Sequence, residues 1–118
     1  MKYLRIVCFL FLASGVVFTC AFAAGDVEKG KALFNDTHFA GGVKACSSCH
    51  PNGQGLENSA DKKEFHIMGK TQKTLEEAVN FCIVNASGGK VIGPKSAEMK
   101  ELVAYIKSLK TKKPAAGY

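Results

Sequence analysis

The sequence predicts a small all-α domain. Three segments repeat apolar residues at helical spacing, and each is preceded by a residue that commonly caps a helix. The glycine-rich segments between them have almost no alternation of apolar and polar residues long enough for a strand. The chain of 118 residues also fits within one ordinary domain.

The first predicted helix spans residues 26–36. Asp26 is placed to cap it, and Val27, Gly30 and Phe34 fall on one face. Glycine inside a helix costs about 1 kcal/mol relative to alanine. A close crossing of another helix at Gly30 would explain why the sequence has glycine there.

The second predicted helix begins at Thr74. Thr74 and Glu77 have the spacing of a capping box, in which each side chain accepts a hydrogen bond from a free backbone N–H of the first turn. Five apolar residues follow at helical spacing and define a buried face: Leu75, Ala78, Val79, Cys82 and Ile83. The sequence therefore places Cys82 toward the core rather than in water.

The third predicted helix begins after Pro94 and ends near Lys110. Ser96 is its cap, and Glu98 lies in the first turn, where the helix dipole favours negative charge. Its buried face comprises Met99, Leu102, Val103, Ile106 and either Leu109 or Lys110.

The first 23 residues predict a secretory signal peptide. Lys2 and Arg5 give it a basic start, an apolar run follows from Ile6 to Phe18, and Ala21-Phe22-Ala23 is a small-residue cleavage site. The sequence therefore predicts an exported protein, cleaved near Ala23.

Cleavage leaves one domain, residues 24–110, and a flexible basic tail, residues 111–118. No apolar stretch of this mature chain approaches the roughly 20 residues that cross a bilayer. Cys20 is a poor site for a lipid anchor, because the bulky Phe18 stands where lipoprotein signals carry small residues. We expect a soluble periplasmic protein without a membrane span.

Lysine supplies all of the positive charge of the mature chain. Without the signal peptide the sequence has 14 lysines, no arginine and 10 acidic residues, a formal net charge of +4. Proteins that read nucleic acids normally use arginine on phosphates and bases, so this composition argues against that class. It favours acidic protein partners, which Lys44, Lys62 and Lys63 would attract, and we expect a monomer.

Three cysteines remain after cleavage: Cys46, Cys49 and Cys82. An odd number in an oxidising compartment cannot form a complete set of disulfides, so at least one thiol has another role or is simply buried. A domain of this size also buries only about 60 to 68% of its unfolded surface. A bound group would help to fill so thin a core.

The segment Cys46-Ser47-Ser48-Cys49-His50 has the Cys-x-x-Cys-His pattern of c-type haem attachment. Two cysteines three residues apart on a helical turn can each form a thioether to one of two neighbouring vinyl groups. The next residue, His50, then places its imidazole on the iron. Five residues thus fix the porphyrin covalently and coordinate it from one side.

Other interpretations of this pentapeptide fit less well. Zinc requires four nitrogen or sulfur ligands, and the sequence has no second Cys-x-x-Cys or His-x-x-x-His pair. A thioredoxin-type dithiol requires a preceding strand and a βαβ context. A disulfide between Cys46 and Cys49 leaves the neighbouring His50 unexplained.

These features together resemble a small class I cytochrome c. Gly30 and Phe34 are similar to the glycine and aromatic residue of that family's first helix, and residues 102–109 to its last helix, whose aromatic residue crosses the first. The resemblance implies a cytochrome c-like fold, in which three main helices, a short attachment helix and the loops surround one covalently attached haem c. It implies an electron carrier rather than an enzyme.

The sixth ligand of the iron is where this resemblance fails. Class I cytochromes usually take a methionine from the loop before the last helix, but residues 85–94 contain none. Met99 lies on the buried face of the third helix, where core packing also explains it, and Met68 lies in a predicted loop that can fold over the ring. His66 in the same loop is a further alternative, whereas His38 fits a surface position at the end of the first helix.

Cys82 is the favoured candidate for this ligand, ahead of Met99 and Met68. The segment Asn80-Phe81-Cys82, followed by a Gly-Lys loop and a Tyr-Ile helix, is similar to haem subunits of thiosulfate-oxidising systems, in which a helix cysteine ligates the iron. The basic residues expected around a thiosulfate pocket are missing beside Cys82. A buried free cysteine that acts as a small apolar residue is the alternative.

We therefore expect a mono-haem cytochrome that shuttles single electrons between redox proteins. The sequence presents no arrangement of general acid, base and nucleophile. Two other functions stay open: a haem subunit of an enzyme that oxidises sulfur compounds through Cys82, and a small-ligand binder whose distal side is open.

Overall fold

The computed structural model describes residues 25–111, in which three α-helices dominate. They are α1 (Val27–Asn35), α2 (Leu75–Asn85) and α3 (Ala97–Ser108). The predicted all-α fold class is confirmed. Within residues 25–111 no helix is long and apolar enough to cross a bilayer. The predicted signal peptide and nearly all of the predicted tail lie outside the described residues.

Helix α1 crosses α3 at Gly30, as the sequence predicts. A Cβ at position 30 would overlap the carbonyl oxygen of Glu101 and would lie 2.6 Å from the carbonyl carbon of that residue. Four residues further along α1, the Phe34 ring packs on the Tyr105 ring of α3, with centroids 5.1 Å apart. Both aromatic side chains are buried. The missing side chain of Gly30 thus brings the two helices into direct backbone contact.

Helix α2 begins with the predicted cap. The Thr74 hydroxyl accepts a hydrogen bond from the Glu77 N–H at 3.1 Å, and the Glu77 carboxylate accepts one from the Lys73 N–H at 2.7 Å. The Glu77 carboxylate therefore binds the residue before Thr74. The cap thus fixes the backbone at Lys73, where the chain enters the helix.

Helix α3 provides the largest share of the core. The Ser96 hydroxyl caps it by accepting a hydrogen bond from the Met99 N–H at 3.2 Å. Its buried residues are Met99, Leu102, Val103, Tyr105 and Ile106, and Leu109 is buried in the 3₁₀ turn that follows. The predicted buried face is confirmed, with Leu109 rather than the exposed Lys110 at its end.

A small β-hairpin replaces the loop that the sequence predicts around Met68. Strands β1 (Phe65–Ile67) and β2 (Lys70–Gln72) pair antiparallel, and Met68 and Gly69 form the turn. Both turn residues have positive φ, +48° and +72°, as a two-residue type I′ turn requires. Strands of three residues are too short to give an alternating sequence pattern.

The loop between α2 and α3 is tied to α2 by one side chain. The Asn80 amide donates to the Ile92 carbonyl oxygen and accepts from the Ile92 N–H, both at 2.9 Å. The same loop also reaches the segment after α1, where the Lys90 N–H donates to the Ala40 carbonyl oxygen at 2.9 Å. The loop that lacks a methionine is thus hydrogen-bonded both to α2 and to the segment after α1.

Candidate functional site

A cavity of about 600 Å³ lies between the three helices, the hairpin and the attachment segment. Its apolar walls are formed by Phe34, Leu56, Phe65, Ile67, Leu75, Ala78, Val79, Leu102 and Ile106. Largely apolar cavities of this size are typical of cofactor sites in proteins. The buried faces predicted for α2 and α3 supply more than half of these apolar residues.

The predicted attachment segment forms one part of the cavity wall. It folds as a 3₁₀ turn, Cys46–Ser48, in which the Cys46 carbonyl oxygen accepts hydrogen bonds from the Cys49 N–H at 3.2 Å and the His50 N–H at 3.0 Å. Cys46 and His50 line the cavity, whereas Cys49 is exposed and lies outside the lining. The turn therefore brings one thiol and the imidazole to the same space.

A backbone carbonyl fixes the orientation of the His50 ring. His50 Nδ1 lies 3.0 Å from the carbonyl oxygen of Gln54. A carbonyl oxygen only accepts, so Nδ1 is the donor in this bond, and in the neutral ring the lone pair is then on Nε2. Histidine ligands of metals are commonly oriented by such a hydrogen bond to the second ring nitrogen. His50 thus offers Nε2 as a donor atom for a metal.

Burial changes the acidity of both half-buried thiols. The pKa of Cys46 is raised to about 11, mainly by burial. Repulsion from Cys82 and Cys49 also raises this pKa, and a backbone hydrogen bond lowers it. Burial also raises the pKa of Cys82, and repulsion from Cys49 raises it further as the smaller cause. A thiolate in this cavity is therefore favoured only when a nearby cation compensates for its charge.

The three candidates for the distal ligand occupy different places. Cys82, in the third turn of α2, is half-buried and lines the same cavity as His50. Met99 is fully buried in the hydrophobic core and lies outside the cavity lining. Met68 is 69% exposed at the tip of the hairpin. The fold thus brings Cys82, and neither methionine, to the cavity that His50 lines.

The two other histidines considered from the sequence are engaged in other hydrogen bonds. His66 lies at the cavity wall, but its Nε2 is 3.1 Å from a Glu64 carboxylate oxygen and its Nδ1 is 3.0 Å from the Thr71 hydroxyl. His38 is exposed just after α1, with its backbone N–H bonded to the Asp36 carboxylate at 2.8 Å. Both ring nitrogens of His66 are therefore occupied in this arrangement.

Sequence reasoning missed the wall formed between the attachment segment and β2. Ser59, Lys62 and Glu64 line the cavity there, next to the apolar Leu56 and Phe65. This stretch has no helical repeat, and its strands are too short to recognise. The only signal of this wall in the sequence was Leu56 and Phe65, two large apolar residues in an otherwise polar segment.

The residues around the cavity fit a haem. The walls are largely apolar, the His50 Nε2 is free to coordinate, and Cys46 and Cys82 bring sulfur atoms to the same space. Among residues 25–111 there is no group of three or more His, Cys, Asp or Glu side chains placed to hold a bare metal ion. The fold and the site together define a c-type cytochrome domain, which carries haem and transfers electrons through it.

The comparison with protein families places the chain within this class. The model of the family "SoxA/TsdA, cytochrome c domain" matches residues 29–114, and the chain belongs to that family. The match covers α1 from Lys29 onward, all of α2 and α3, the attachment segment and the cavity lining. No curated protein and no solved structure gave a match.

Proposed function

We propose that the chain is a periplasmic mono-haem c-type cytochrome that transfers single electrons between redox proteins. The placement of Cys46 and His50 on one apolar cavity carries this proposal. Cys46 and Cys49 would hold the porphyrin through thioethers, and His50 would bind the iron. The bound haem supplies a one-electron couple.

The cavity walls contribute to electron transfer by excluding water. Leu102 and Ile106 of α3 and Phe34 of α1 form part of the lining, and the Gly30 crossing holds these two helices together. A rigid apolar surrounding undergoes little rearrangement when the charge of the site changes. Electron exchange with a partner then requires little reorganisation of the protein.

We propose Cys82 as the distal ligand of the iron. Its support is its position in the lining with His50, while Met99 packs in the core and Met68 points into solvent. An anionic thiolate favours ferric iron, and the positive iron offsets the charge that burial disfavours at Cys82. This ligand therefore predicts a lower reduction potential than a methionine would give.

The partners are proposed to be acidic redox proteins, with the chain acting as a monomer. Lys44, Lys62 and Lys63 are exposed and would attract negative surfaces. The test is the electron-transfer rate constant with an acidic partner protein as ionic strength is raised. A fall in the rate constant is expected, and no dependence on salt would contradict this part of the proposal.

A second function is favoured by the family match together with Cys82. The matched family is described as SoxA/TsdA, and Cys82 lies in the cavity rather than in the core. The alternative is a haem subunit of an enzyme that oxidises sulfur compounds at this cysteine. Turnover of a sulfur compound by the purified holoprotein, lost in Cys82→Ser, would replace the carrier proposal with this one.

The first experiment is the intact mass of the natively matured protein. One haem added to the polypeptide cleaved near Ala23 is expected, and a bare polypeptide would overturn the proposed function. Cys46→Ala and Cys49→Ala are each expected to remove one thioether, which weakens retention of the haem in denaturant.

The second experiment compares three variants that each remove one sulfur candidate. Cys82→Ser is expected to shift the Soret band and raise the reduction potential, whereas Met99→Leu and Met68→Leu, which conserve volume, leave both unchanged. A methionine-to-iron charge-transfer band in the wild-type protein would contradict ligation by Cys82. Binding of cyanide or carbon monoxide to the native wild-type protein would indicate an open distal side instead.

A further inference from the structure

We propose that Lys62 and Ser59 bind the two carboxylate groups of the haem and so determine how it sits in the cavity. This inference rests on the proposed function, because it assigns a role toward the haem to residues outside the attachment motif. Neither residue belongs to the attachment segment or to the candidates for the distal ligand of the iron.

The polar part of the cavity lining away from the iron donors is confined to one stretch of chain. Ser59, Lys62, Glu64 and His66 line the cavity within eight residues of sequence, whereas the lining from the three helices is apolar except for Cys82. A haem is likewise apolar except for two carboxylates on one edge of the ring. The polar wall is therefore the place where that edge avoids burial against apolar side chains.

The charges on this wall leave one cation without a partner. Glu64 lies 3.4 Å from the Lys73 ammonium, and Asp61, next to the wall, lies 2.8 Å from the Lys110 ammonium. Lys62 forms no ion pair with the acidic residues in the described part of the chain. The wall thus presents one uncompensated positive charge, which suits an anionic group.

Ser59 adds a hydrogen-bond donor to the same polar part of the cavity lining. The residue is 4% exposed, and it lines the cavity from the 3₁₀ turn Ser59–Asp61. Its hydroxyl has no hydrogen-bond partner among residues 25–111. The hydroxyl oxygen is not among the fully enclosed polar atoms, so it is open to the cavity and can donate a hydrogen bond to a carboxylate oxygen there.

The test compares Lys62→Gln with Lys63→Gln in the holoprotein. Both lysines are exposed and neighbours in sequence, but Lys62 lines the cavity and Lys63 does not. The two substitutions remove the same charge, so a general surface effect would be equal in both. The reduction potential is measured across pH, where ionisation of a haem carboxyl group appears as a step.

Loss of Lys62 is expected to lower the potential at neutral pH and to move the step to higher pH by about one unit or more. Lys63→Gln is expected to leave the step in place. Ser59→Ala is expected to move it in the same direction by less, because it removes a hydrogen bond and no charge.

Two controls assign the step. The titratable groups of the polar wall are Lys62, Glu64 and His66; Lys73 pairs with Glu64, and Lys110 pairs with Asp61 next to the wall. The step is expected to persist in Glu64→Gln and in His66→Gln, and its loss in either variant would assign it to that side chain and overturn the inference.

The anion of the buffer distinguishes whether Lys62 binds a haem carboxylate or a free oxyanion from solution. The effect of Lys62→Gln is expected to be equal in chloride and in sulfate at the same ionic strength. An effect confined to sulfate would assign Lys62 to a free oxyanion and overturn the inference. Equal behaviour of Lys62→Gln and Lys63→Gln in a protein of the correct holo mass would overturn it too, while leaving the proposed function intact.

Discussion

Replacing Gly30 by alanine is expected to destabilise the domain, although alanine is the better helix former. The new Cβ would lie 2.6 Å from the Glu101 carbonyl carbon, and ordinary contacts begin at 3.4 Å, so α1 and α3 must separate by about 0.8 Å or more. The new Cβ would also lie 2.9 Å from the Tyr105 Cβ, so a small shift of α1 toward Tyr105 cannot relieve the overlap. Separation also loosens the contact between Phe34 and Tyr105.

The size of the effect follows from two opposing contributions. Overpacking of a close contact costs typically 1–3 kcal/mol, and a clash with backbone belongs at the upper end because backbone cannot rotate away. The helix preference of alanine over glycine returns about 1 kcal/mol. A net loss of about 2 kcal/mol corresponds to a fall in Tm of about 8–16 °C for a domain of this size.

The assay is thermal unfolding of the ferric holoprotein, followed by circular dichroism. Lys31→Ala is the matched control, because Lys31 is exposed on the same helix and its replacement tests helix preference without a contact. The control is expected to change Tm little. A Tm of Gly30→Ala equal to or above that of the wild type would refute the close backbone crossing.

Three further predictions concern the loop, the hairpin and its charges. Asn80→Leu leaves both backbone groups of Ile92 without a partner, so a loss of about 1–3 kcal/mol and faster amide exchange at Ile92 are expected; unchanged exchange would contradict this. Met68→Asn suits the positive φ of the turn and is expected to raise stability by up to about 1 kcal/mol with an unaltered Soret band, and a shifted band would count against a purely structural Met68. Lys73 holds the pKa of Glu64 below its ordinary value, so this stabilisation is present above the ordinary pKa and is lost as pH falls through the lowered one. In an NMR titration Lys73→Gln is expected to raise that pKa, and an unchanged value would exclude the ion pair.

The helices could be predicted because their signals are local. Thr74 and Ser96 are caps whose hydrogen bonds span three residues, and the buried face of α3 repeats within its own sequence. Gly30 was informative for a different reason: glycine inside a helix is unfavourable unless another chain approaches closely, and Glu101 does. These predictions needed no knowledge of distant contacts.

The cavity could be predicted only in part because its walls come from distant segments. Helical periodicity places both Cys82 and Met99 on buried faces, but it does not say whether a ring or another helix covers each of them. The hairpin depends on Met68 in a left-handed conformation that its residue type does not favour. Ser59 and Lys62 acquire meaning only when the chain folds back across the cavity.

The position of Cys82 within a helix has a consequence for the kinetics of ligand exchange. Its backbone carbonyl accepts hydrogen bonds from the Ala86 N–H at 2.9 Å and the Ser87 N–H at 3.1 Å, so its Cα is fixed by the end of α2. A methionine supplied by a loop can leave the metal when the loop opens, without loss of secondary structure. If Cys82 is the ligand, as proposed, its sulfur can withdraw far only when the last turn of α2 unwinds, so external molecules would displace it at the slow pace of local unfolding.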